Sequence, residues 1–180
     1  MRVITGKARG VTLKTPDGLA TRPTADRVKE ALFSIIQFEV PAARVLDLFG
    51  GTGQLGIEAL SRDAKSCVFV DKAESACRLI RENLKRAKLE NAAKVICSDF
   101  ENYLKSTKET FDIILLDPPY AEVFLENALN LITEIDILQS GGIIVTERPV
   151  GKELLWDFPG YSRSKDYKYS STILTIFRKD

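Results

Sequence analysis

Apolar residues recur along this chain in two rhythms. Val28, Ala31, Leu32, Ile35 and Ile36 fall at i, i+3, i+4, i+7 and i+8, one face of an amphipathic helix. Thr24 stands where the N-cap of that helix belongs, and Asp26 would oppose the positive end of its dipole. From Arg44 the rhythm changes to short, mostly apolar runs: Val45–Phe49, Cys67–Val70, Ala93–Cys97, Phe111–Leu116 and Ile143–Val145. Between them Leu55–Leu60, Ala76–Leu84 and Phe124–Ile132 return to helical spacing. Strands without a polar face, alternating with helices, predict a parallel sheet covered on both sides. Right-handed crossovers then give a doubly wound α/β fold that binds ligands at the C-terminal ends of its strands. Thr172–Phe177 is strand-like and follows a stretch with no helical pattern, so a C-terminal antiparallel hairpin is expected at the sheet edge. Residues 2–6 and 11–14, split by Gly6 and Gly10, predict a small N-terminal hairpin, and Gly18 to Pro23 a loop. Residues 1–40 thus form a hairpin-and-helix extension of the domain built by residues 41–180.

Composition narrows the chemistry. With 180 residues, 44% apolar and 28% charged, the chain suits one globular domain. No apolar run approaches the ~18 residues of a membrane span, and no leader pattern precedes the domain, so a cytoplasmic protein away from membranes is expected. The sequence has three cysteines and no histidine, which argues against a metal centre and excludes a histidine base. Cys67 and Cys97 lie in apolar runs and read as small buried hydrophobes. Charge is uneven: residues 1–29 carry seven basic and two acidic side chains, residues 30–150 thirteen and nineteen. A basic arm on an acidic body suits a polyanionic partner, and equally a solvated terminus.

Acidic residues close the predicted strands. Asp47-Leu48-Phe49-Gly50-Gly51-Thr52-Gly53 ends the first, and Gly51, Gly53 and Gly56 satisfy G-x-G-x-x-G with Asp71 twenty residues past Gly51. That pattern admits a dinucleotide-dependent oxidoreductase. Asp47 argues otherwise, because a carboxylate beside the glycines would repel a pyrophosphate and attract the ammonium of S-adenosylmethionine. Asp71, followed by Lys72, can accept ribose hydroxyls at the second strand end. Asp99 suits an adenine amino group, with Phe100 against the ring, and can also cap the next helix. The expected cofactor set is therefore Asp47, Phe49, Gly50, Gly51, Gly53, Asp71, Lys72, Asp99 and Phe100.

The most specific signal is Asp117-Pro118-Pro119-Tyr120, after the apolar run Ile113–Leu116. Two prolines fix the turn and offer carbonyls without N–H groups. Asp117 and the Pro118 carbonyl can hold an exocyclic amine while Tyr120 stacks on a flipped base. These three are the expected catalytic residues.

These ordered motifs resemble those of class I amino-methyltransferases. Met1–Gly10, Thr21–Phe33 and Leu55–Arg62 are further similar to the RsmD-type family. The resemblance covers nearly the whole chain and implies methyl transfer from S-adenosylmethionine to guanine N2 of bacterial 16S rRNA. The partner would be the small-subunit RNA or the assembling subunit, met by a monomer. Arg2, Lys7, Arg9, Arg22, Thr24 and Arg27 are the candidate RNA contacts. Tyr169-Ser170-Ser171-Thr172 departs from the family's Tyr-Gly-x-Thr turn. Adenine N6 as target, or a non-catalytic RNA-binding domain, are the competing readings within this frame.

Overall fold

Five largely apolar runs become five parallel strands, the first four each followed by a helix that can cover the sheet. The computed structural model describes residues 1–16, 23–119 and 122–180, without the side chains of 23–25, 122 and 123. Among the described residues the strands are β1 (Arg44–Asp47), β2 (Ser66–Asp71), β3 (Ala93–Cys97), β4 (Phe111–Leu116), β5 (Leu138–Pro149), β6 (Tyr161–Arg163), β7 (Tyr167–Tyr169) and β8 (Thr172–Lys179). The helices are α1 (Pro23–Ile35), α2 (Gln54–Ser61), α3 (Glu74–Ala87), α4 (Phe100–Ser106) and α5 (Glu122–Ile135). One sheet runs β3-β2-β1-β4-β5-β8-β6, parallel through β5, with β8 antiparallel to it. The order reverses between β1 and β4, so a crevice opens there at the strand C-termini.

Alternation along the strands splits the core in two. Val45, Ile113, Leu115, Ile143 and Val145 join α1, α2, α3 and the N-terminal arm on one face. Leu46, Val68, Val70, Ile114, Leu116 and Ile144 join α4, α5 and Trp156 on the other. Val3, Ala8 and Leu13 belong to the first cluster, so the arm shares the core of the domain. No helix of the described residues is long and apolar enough to cross a membrane.

Four details depart from the sequence pattern. α1 begins at Pro23, so Thr24 lies inside its first turn and is not its N-cap; proline, whose missing N–H costs nothing there, starts the helix instead. Cys97 is exposed while Cys67 is buried, because β3 is the outermost strand and its last residue has a neighbour on one side only. The C-terminal hairpin is broader than expected, since both β6 and β7 pair along the outer edge of β8. Its Tyr169–Thr172 turn survives the loss of glycine by placing Ser170 at φ 53, a left-handed conformation a side chain tolerates at a cost.

The N-terminal hairpin is short, with one bridge between Arg2 and Thr12 and backbone bonds from Val3 N to Val11 O and Leu13 N to Met1 O. Side chains of the domain take up more of its backbone. Glu58, wholly buried on α2, accepts from Ile4 N at 2.8 Å and Thr5 N at 3.0 Å, and from Arg62 Nε at 2.8 Å. Ser61 Oγ accepts from Ala8 N, and Asn83 brackets Lys14 through both its N–H and its carbonyl. Gly6 is obligatory: at φ 88, a Cβ there would fall 1.7 Å from the Ser61 carbonyl oxygen. Lys29, counted by sequence with the basic arm, is interior: it donates to the Arg2 carbonyl at 2.6 Å and stands 3.6 Å from Glu58. Burial lowers its pKa, and Glu58 and Asp26 oppose the shift. Removing Glu58 would strand two backbone donors and two cations in this interior. Glu58→Ala is expected to lower unfolding free energy by about 3 kcal/mol. Urea denaturation reads it, and a loss under about 1 kcal/mol would show that the arm is not latched through this carboxylate.

Candidate active site

A cavity of about 430 Å³ lies at the C-terminal ends of β1, β2, β3 and β4. The loop after β1 forms its floor. Gly51 and Gly53 take φ of 54 and 79, which lets the chain reverse into α2 with its backbone against the cavity. Gly50 N donates to Val70 O at 2.8 Å, tying the loop to β2. Gly56 serves packing: a Cβ there would lie 2.3 Å from the Phe69 ring, so α2 could not seat on β2.

Carboxylates ring this loop. Asp47 is buried, and its Oδ2 accepts from Gly56 N at 3.0 Å. Loss of water pushes its pKa up to about 7, and Asp117 and Asp71 add to the shift. Asp71 Oδ2 accepts from Gly51 N and its Oδ1 from Ala73 N, each at 2.9 Å. The second acid thereby fixes the glycine loop from the neighbouring strand. Asp99 caps α4 by accepting from Glu101 N and also lines the cavity, so capping and lining coexist as expected. Phe100 is buried with its centroid 5.2 Å from that of Phe49, and Lys72 Nζ lies 5.8 Å from the Phe124 ring centre.

Asp117 and Pro118 line the same cavity from the end of β4. Burial pushes the Asp117 carboxyl up to about 6. Tyr120 falls outside the described residues. The structure thus gathers Asp47, Phe49, Gly50, Gly51, Asp71, Lys72, Asp99, Phe100, Asp117 and Pro118 around one space, with Gly53 buried just beneath as the N-cap residue of α2.

Sequence reasoning missed Glu147. It stands at the end of β5, and burial together with Asp117 pushes it up to about 8. The available signal was an acid closing a fifth strand, as Asp47, Asp71 and Asp117 close theirs. Phe124 and Gln54 also line the cavity unforeseen.

The candidate RNA contacts divide by position. Lys7 and Arg9 sit at the exposed tip of the arm, where Lys7 pairs with Asp63 at 2.7 Å beside the far end of α2. Eight residues of helix, roughly 10 Å at 1.5 Å per residue, separate that end from the glycine loop. The other end of the arm is near the cavity, with Met1 against Thr52 and Asn83 joining Lys14 to the Thr52 carbonyl. Arg2 and Arg27 are exposed, Arg22 lies outside the described residues, and so does the Thr24 side chain.

A sheet of this order, with a glycine loop after β1, an acid closing β2 and Asp-Pro-Pro after β4, defines a class I methyltransferase. The chain is 41% identical over 182 residues to "Putative rRNA methyltransferase YlbH" of Bacillus subtilis, covering 99% of each protein. It is 34% identical to "Ribosomal RNA small subunit methyltransferase D" of Escherichia coli K12, over 83% of this chain and 75% of that protein. Among solved structures, "Putative methyltransferase yhhF" from Escherichia coli superposes with a TM-score of 0.90 at 27% identity, over 100% of this chain and 98% of that one. The family described as Conserved hypothetical protein 95 matches residues 1–178, and the chain belongs to it: this is the RsmD family.

The buried Asp47 carries a consequence for stability. Its folded pKa of about 7 exceeds the ordinary 3.8, so the folded chain holds a proton that the unfolded chain releases. That contribution is complete below the lower value and is lost as pH rises through the upper one. Ligand-free stability should therefore fall between pH 4 and 7 by at most about 1.4 kcal/mol per pH unit for this one group. Asp47→Asn should flatten that fall, as read by urea denaturation across the range. An unchanged slope in the variant would assign the titration elsewhere.

Proposed function

We propose that the protein transfers a methyl group from S-adenosylmethionine to the exocyclic N2 of a guanine in small-subunit ribosomal RNA, acting as a cytoplasmic monomer. The observation that carries this reading is that Asp117-Pro118 and the water-poor Asp47 face one cavity. The residues fit the methyl donor. Asp47, charged only with difficulty when alone, is matched by a ligand ammonium. Asp71 spends one lone pair per oxygen on backbone N–H groups and keeps others for ribose hydroxyls. Phe49 and Phe100 give an apolar wall for adenine, with Asp99 for its amino group and Lys72 at the rim. A pyrophosphate in this place would meet three carboxylates.

S-adenosylmethionine, when bound, supplies an electrophilic methyl on a sulfonium whose carbon–sulfur bond electrons stay on sulfur. The protein's task is to present the amine. Guanine N2 is a poor nucleophile because its lone pair is delocalised into the ring. Asp117 and the Pro118 carbonyl accept its two protons, draw them out of the ring plane and concentrate the lone pair toward the methyl. Asp117 then stabilises the positive charge that grows on nitrogen and takes the proton released once N2 carries its methyl. Tyr120 would stack on the flipped base. Residues 1–40 act as the RNA-holding extension of the domain formed by 41–180. Arg2, Arg22, Thr24 and Arg27 are proposed as RNA contacts, with Arg2 next to the root of the arm beside Thr52, and Lys7 and Arg9 farther along it.

Two readouts test this. S-adenosylmethionine and its demethylated product should raise the thermal midpoint increasingly with concentration, and NAD should not. Asp117→Ala should cut single-turnover methyl transfer on the order of 100-fold with little change in donor affinity. Stabilisation by NAD alone would establish a dinucleotide enzyme, and an unaffected Asp117→Ala rate would remove this aspartate from the chemistry.

A further inference from the structure

Glu147 is a titratable group at the reacting edge that the mechanism above leaves unused. Its position follows from the register. Leu116 of β4 pairs with Thr146 of β5, so Asp117 and Glu147, one residue further on, are neighbours across the two strands. Leu115 and Val145 face the core cluster of α1 and α2, and side chains alternate, so Asp117 and Glu147, each two residues on, share that face. Asp47, two residues past Val45, faces the same way.

Among the described residues, no charge of opposite sign acts on Glu147. From β8 its pairing partner is Leu174, and Tyr167 of β7 stands beyond. Arg148 points to the other face, where Thr175, Asp166 and the Lys152 carbonyl bind it. Among the described residues the charged group acting on Glu147 is Asp117, and the next acids on that edge, Asp47 and Asp71, are of the same sign. Two adjacent carboxyl groups poor in water do not both ionise readily at neutral pH.

We propose that Glu147 is a positioning residue that works through Asp117: the two carboxyls carry one negative charge between them, with the proton on Glu147, so Asp117 meets the amine as a carboxylate. The neutral Glu147 leaves Asp117 the sole anion at the amine and lets it sit close without repulsion. When Glu147 loses its proton, a second charge beside Asp117 pushes the acceptor out of line. Methyl transfer should then rise with pH through about 6, where Asp117 ionises, and decline through about 8, where Glu147 does.

This inference rests on the methyl-transfer reading, so its test has an arm independent of activity. In the full-length protein, carboxyl carbon resonances of labelled Asp and Glu should show Asp117 titrating near 6 and Glu147 near 8, with Asp47 near 7 between them. Glu147→Gln should delete the upper titration and leave the lower ones in place. In single-turnover pH profiles the same variant should lose the descending limb. Glu147→Ala should reduce the rate at pH 7 tenfold or more, and Glu147→Gln clearly less, because the amide, like the protonated carboxyl and unlike alanine, still offers Asp117 a neutral hydrogen-bond donor. A Glu147→Gln profile that still falls near pH 8, or a resonance near 8 that persists in it, overturns the proposal. Absence of methyl transfer in the unmodified protein, with both titrations present, would instead sink the functional reading and leave the paired acids standing.

Discussion

The site depends on one electrostatic constraint: three acids, Asp47, Asp117 and Glu147, are held where water is scarce at one edge of the sheet, with the half-exposed Asp71 beside them. Asp47, Asp117 and Glu147 are each pushed above the usual carboxylate range by burial. Such an arrangement costs folding free energy and persists only where the surrounding structure over-determines it. On the proposed function, its return would be a cavity suited to a cation and an amine and ill suited to a phosphate. Even the glycine loop is drawn into the arrangement, since Asp47 binds Gly56 N and Asp71 binds Gly51 N.

Packing makes that edge rigid. Gly56 lets α2 lie directly on β2, and Gly50, packed against Ile80 of α3, keeps the loop under the cavity. Behind α2 a second set of buried polar groups, Glu58, Ser61, Asn83 and Lys29, takes up the backbone of the N-terminal arm. The arm is therefore a latched part of the domain, and its root beside Thr52 is tied to the same loop that floors the cavity. On the proposed function, a basic segment attached in this way would hold RNA phosphates without belonging to the chemistry of the site.

Strand positions were legible because a buried parallel strand is apolar at most positions on both faces, a pattern few other short elements share. The first-site acids were legible because they directly end such runs. α4 was anticipated only through its Asp99 cap, because seven residues with three buried positions leave no sustained period. Thr24 was misread because the proline before it starts the helix, and Cys97 because no local pattern says which strand lies at the edge. Glu147 needed the pairing of β4 with β5, and the Lys29–Glu58 contact spans 29 positions of chain, so neither is written in any short window. Lys7 and Arg9 carry the right charge, but only the hairpin's course along α2 reveals that they sit at its far end.

Mass mapping of modified nucleosides in small-subunit rRNA, from cells with and without this protein, tests the central claim most directly. The account predicts that one N2-methylguanosine disappears without the protein and returns with the unaltered chain, but not with Asp117→Ala. Loss of an N6-methyladenosine instead, or an unchanged set of modifications, would contradict it.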